Sequence, residues 1–124
     1  MKKTIILLVG VLGLVCSGAS QDEVLIRIAN HGKVELQNVV VQFPTQKEKY
    51  GNILPGKETS YRKVDKAYGY AYIRALVEGK EAVLQPEDYV GETLLKPGMY
   101  TYVLTYNPDS VDKHDRLNHK LTEE

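Results

Sequence analysis

The chain has 124 residues, 43% hydrophobic and 26% charged, enough for one domain with its own core. Its 16 basic and 16 acidic side chains cancel, and losing Lys2 and Lys3 with a leader leaves the mature chain mildly acidic, which excludes the basic footprint of a nucleic-acid partner. The one cysteine, Cys16, excludes intramolecular disulfides, cysteine zinc centres and a Cys-His nucleophile.

Lys2 and Lys3 precede an apolar run from Thr4 to Val15, which is followed by the small residues Ser17 to Ser20. That order predicts a cleavable signal peptide over residues 1–20, with a cut before Ser20 or Gln21 and export to the periplasm or medium. The run is shorter than the roughly 20 residues a helix needs to cross a bilayer. Gly13-Leu14-Val15-Cys16 offers a second outcome, an outer-membrane lipoprotein anchored at Cys16, which would be the only membrane contact. Val15 departs from the small residue that a lipobox places before its cysteine.

Glu23 to Asn30 alternates Val24, Ile26 and Ile28 with Leu25, Arg27 and Ala29, the period of a strand. His31-Gly32-Lys33 reads as a turn. Val34 to Phe43 continues as a strand with Val39, Val41 and Phe43 on one face and a bulge at Asn38, and Pro44 ends it. Thr45 to Asn52 is polar and reads as a solvated connection with one helical turn. Pro55-Gly56 has the residues of a type II turn, and Glu58 to Val64 leaves it as a strand.

Tyr68 to Val77 is a long alternating strand that a hairpin at Glu78-Gly79-Lys80 joins to Glu81–Gln85. A loop over Pro86–Gly91, a short strand over Thr93–Leu95, a turn at Lys96–Met99 and a last strand from Tyr100 to Tyr106 complete the pattern. Beyond Asn107-Pro108-Asp109 the chain is polar, so residues 110–124 read as a flexible tail. The expectation is all-β: a single antiparallel β-sandwich of about six to eight strands over residues 21–109.

Leu95-Lys96-Pro97-Gly98-Met99-Tyr100, with the strand that follows, resembles the Pro-Gly-x-Tyr turn of immunoglobulin-like, fibronectin-like and transthyretin-like domains. The resemblance covers about ten residues and implies an immunoglobulin-like or transthyretin-like sandwich. It also implies that the Tyr100 hydroxyl bonds to backbone a few residues upstream. The Cys-Trp-Cys pattern of true immunoglobulin domains is absent, and such folds host many functions, so no activity transfers.

Nine tyrosines are the strongest compositional feature, with Tyr68, Tyr70 and Tyr72 spaced for one face and Tyr100, Tyr102 and Tyr106 for another. Packing explains such rings in a small sandwich that has one Phe and no Trp. If Ala71, Ile73, Ala75 and Val77 form the core face, however, Tyr70, Tyr72 and Arg74 point outward, and with Tyr102 they make a candidate face for a protein or glycan partner. His114 and His119 with Asp112 and Asp115 are the one grouping that suggests a metal, and Asn107, Asp109 and Asp112 the one that suggests calcium. A solvated tail and a turn account for both, and neither ligand spacing matches a known site. Glu87 and Asp88 are adjacent and so diverge on an extended chain, and His31 reads as a turn residue.

No catalytic, metal or cofactor motif is present. The sequence therefore predicts an exported, non-enzymatic binding or adhesion protein of the cell envelope with no cofactor. The alternatives are a structural or assembly subunit of an envelope complex and, less favoured, a small secreted hydrolase.

Overall fold

A computed structural model describes residues 22–86 and 93–124. The segment expected to be a leader, with Cys16, and the Glu87–Asp88 pair lie outside the described residues. Eight strands run in the order β1 (Val24–Asn30), β2 (Leu36–Gln42), β3 (Lys47–Ile53), β4 (Arg62–Val64), β5 (Tyr72–Val77), β6 (Lys80–Leu84), β7 (Gly98–Tyr106) and β8 (Leu117–Glu123), with one 3-10 turn at Lys113–Asp115. They form two four-stranded sheets, β4-β1-β7-β8 and β3-β2-β5-β6, the β-sandwich that the turn spacing implies.

The core lies between the sheets. Val24, Ile26 and Ile28 of β1 and Tyr100, Tyr102 and Leu104 of β7 face Val39 and Val41 of β2 and Ile73, Ala75 and Val77 of β5, all buried. Period-two alternation delivers these residues to one side of each strand. Tyr50 joins the layers, since its buried hydroxyl donates to the Ile26 carbonyl of the other sheet at 2.9 Å.

Two turns have the backbone their residues demand. Gly56 has φ of 76° and Lys57 N donates to Leu54 O at 3.1 Å, which closes the Pro55-Gly56 turn. Glu78 and Gly79 both have positive φ, 51° and 81°, as a two-residue hairpin with matched strand twist requires, and Val77 faces Lys80 across it. Asn38 is the bulge: its φ is 52°, and the β2–β3 register shifts on either side of Val39.

Several expectations need correction. The sandwich is not wholly antiparallel, because β1 and β7 pair in parallel from Val24 opposite Gly98 to Asn30 opposite Leu104. The polar stretch after Pro44 is a strand, β3. Its buried residues are Tyr50 and Ile53, three apart, because Gly51 at φ 84° breaks the alternation. Thr93–Leu95 forms no strand. Regular pairing after the Pro-Gly turn covers only Arg62–Val64, and the Tyr-rich strand begins at Tyr72.

The largest correction concerns residues 110–124. They are not a loose tail: β8 pairs with β7 along its whole length, from Tyr106 opposite Leu117 to Tyr100 opposite Glu123. Leu117, His119 and Leu121 supply the inward side of β8, and a histidine at the middle position hides the alternation from a reading by hydropathy. The connection before it crosses to the second sheet. Arg116 holds it there, donating to Glu81 O at 2.7 Å, Val111 O at 2.9 Å and Ser110 O at 3.3 Å.

Candidate functional site

The β5 strand has two unlike faces. Ile73, Ala75 and Val77 fill the core, so Tyr72, Arg74 and Leu76 project from the outer face of the second sheet. Tyr72 lies opposite Gln42 of β2, and Arg74 lies between Val40 of β2 and Val83 of β6. Two adjacent depressions open there. One, of about 340 Å³, is walled by Gln42, Phe43, Pro44, Tyr68, Tyr70 and Tyr72. The other, of about 460 Å³, lies where the bulge at Asn38 parts β2 from β3, among Val40, Lys49, Arg74, Leu76 and Glu81.

The structure thus places Tyr70 and Tyr72 at one depression and Arg74 at its neighbour. Tyr70 and Tyr72 are half-buried and Arg74 is exposed. Tyr102 is a correction: it is fully buried in the core, its hydroxyl donates to Tyr68 O at 2.7 Å, and its ring stacks on Phe43 at 6.2 Å. Period two placed it correctly on a face, and that face is the interior. Tyr70 and Tyr102 both meet the His119 ring edge-on, at 6.4 and 6.1 Å, so the first depression rests on an aromatic stack that continues into the core.

The second depression is polar. Arg74 pairs with Glu81 at 3.5 Å, and Glu81 also accepts from Lys113 at 3.0 Å. The hydrogen bond from Lys113, with the nearby Arg74 and His114, holds the Glu81 carboxyl below its ordinary value. Lys49 adds a further cation. Lys49 and Glu81 escape a reading of the sequence because one sits in a segment without alternation and the other is a hydrophilic hairpin residue. The one sequence signal for this end is the bulge residue Asn38.

The remaining candidates serve the fold. Asp112 caps the 3-10 turn, accepting from His114 N at 3.0 Å, and this bond, with that to the His114 ring, lowers the Asp112 carboxyl. Asn107 accepts from Asp109 N at 3.1 Å in a local turn. His119, on β8, contacts Gly69 O at 3.2 Å, away from His114 on the preceding turn. Among the described residues, no three His, Cys, Asp or Glu side chains are placed to hold a metal ion. At the His31 turn the organising residue is its neighbour: Asn30, fully buried, donates to Val34 O and Ile53 O and accepts from Gly32 N.

No protein-family model matches the chain. No curated protein matches it either. Among solved structures, an NMR structure of a protein from Eubacterium rectale is similar in fold, with a TM-score of 0.55 over 83% of this chain and 89% of that one, at 8% identity. Similarity at that identity speaks for the architecture alone.

Proposed function

We propose that the protein is an exported, non-enzymatic immunoglobulin-like β-sandwich that binds a protein or glycan at the cell envelope through the outer face of its second sheet. The observation that carries this reading is the depression at Tyr70 and Tyr72, where Tyr72, with Arg74 two residues further on, stands on the outer side of a strand whose other side already fills the core. Rings in that position can stack on a sugar face or a peptide side chain while their hydroxyls hydrogen-bond, and a neighbouring guanidinium selects for acidic groups.

The immunoglobulin-like assignment is supported by the turn before β7, where the Tyr100 hydroxyl donates to Lys96 O at 2.7 Å, four residues upstream. Export is supported by the residue pattern of positions 2–20. Fractionation with mass spectrometry of the N-terminus checks it: a terminus at Ser20 or Gln21 indicates cleavage and release, a lipidated Cys16 an anchor, and an intact Met1 overturns export.

Binding is tested by titrating neutral and acidic oligosaccharides and envelope peptides against the protein and its Tyr72→Ala variant. A bound class whose affinity falls about tenfold on losing the ring, the 1.4 kcal/mol scale of one stacking contact, supports the site. Equal binding by both proteins, or turnover of any compound, removes it.

A further inference from the structure

Each sheet ends in two edge strands, and three of the four carry a device that blocks addition of another strand. On β6, Arg116 takes the Glu81 carbonyl and brings the 107–116 connection with it. On the three-residue β4, the Gln46 side chain donates to Lys63 O and accepts from Asp65 N at 2.8 Å, occupying the edge as a strand would. On β3, Lys47 and Lys49 are exposed and the chain kinks at Gly51.

The fourth edge, β8, carries a single exposed lysine, Lys120, but has neither a cover nor a kink, and its seven residues pair with β7 without a register shift. Asn107 N donates to Arg116 O and Glu124 N to Met99 O. Both bonds lie on the same register as the strand itself, and bonded pairs alternate with non-bonded ones in an antiparallel ladder. Asn118, Lys120 and Thr122 therefore turn their N–H and C=O groups to β7, whereas those of His119, Leu121 and Glu123 point to the open edge. Among the described residues nothing bonds to them.

We propose that β8 is a dimerisation edge, pairing antiparallel with β8 of a second copy about a two-fold axis at Leu121 and continuing the first sheet through both subunits. This goes beyond ligand binding at the tyrosine groove and does not depend on it. The side chains favour this register over the one centred on Lys120. With the axis at Leu121, the residues whose backbone groups face the open edge meet in bonded pairs: Leu121 opposite Leu121 of the partner subunit, and His119 opposite Glu123 of the partner subunit. Lys120 then faces Thr122 of the partner subunit. Moving the axis to Lys120 would set two ammonium groups directly opposite each other, which is destabilising.

Sedimentation equilibrium of the protein from micromolar to millimolar concentration, with amide exchange read by NMR, tests the edge. The expected result is a dimer in which the His119, Leu121 and Glu123 amides become protected, as those of Asn118, Lys120 and Thr122 already are in the monomer. In the Leu121→Lys variant, with β7 amides still protected, dissociation becomes at least tenfold easier. A monomer at millimolar concentration overturns the proposal, and so does a dimer whose His119 and Leu121 amides still exchange freely.

Discussion

Single polar groups in the interior do work that hydropathy does not display. Asn30 satisfies two carbonyls and one amide around the His31 turn, so Asn30→Ala leaves three buried groups without partners. A loss of about 2–3 kcal/mol is expected in urea unfolding, against about 1 kcal/mol for Tyr100→Phe, which removes only the bond to Lys96 O. Tyr50 adds a pH dependence. Burial, then the Glu48 carboxylate, raise its hydroxyl above the ordinary tyrosine value, and Arg62 only partly offsets them. Because the folded value lies above the unfolded one, the linked stability is intact below about pH 10 and is lost as pH rises beyond it. Tyr50→Phe should flatten the alkaline limb of a stability-against-pH curve; an unchanged limb would assign alkaline unfolding to other groups.

At the scale of elements, turns explain why some strands are legible and others are not. The β5–β6 hairpin can be read from Glu78-Gly79 because a two-residue loop with positive φ admits few residues, and Gly79→Ala should cost about 1 kcal/mol at φ 81°. The β3 and β8 strands resist the same reading. One is kinked at Gly51, and the other has a histidine at a core-facing position, so each breaks the alternation that marks a strand.

The 107–116 connection is an element held by charge. Its link from Lys113 to Glu81 depends on a carboxyl whose value is lowered in the folded protein, so this contribution is present above the ordinary carboxylate range and lost as pH falls through the lowered value. Acid titration by NMR should loosen the amides of residues 113–116 before those of β7. Simultaneous loss in both would show that the connection has no separate transition.

For the whole molecule, the proposed binding site and the proposed pairing edge are a face and an edge that the two sheets leave open. The outer face of the second sheet presents Tyr72 and Arg74, and the edge of the first presents backbone groups of β8 that no described residue pairs. Loss of ligand binding in Tyr72→Ala with dimerisation intact, and the reverse in Leu121→Lys, is the expected pattern if groove and edge are separate sites.

The residues by themselves determined the all-β class, the bulge at Asn38, both glycine turns and which side chains of β5 share a face, since each depends on backbone preference or on neighbours two residues apart, while the bond of the corner tyrosine was implied by the resemblance. Only the tertiary structure decided that β1 and β7 run parallel, that residues 117–123 close the first sheet, and that Tyr102 is core while Tyr72 meets solvent. Alternation tells which side chains share a face. Which face is covered depends on the strand that packs against it, and for β7 and β8 those partners lie far away in the chain.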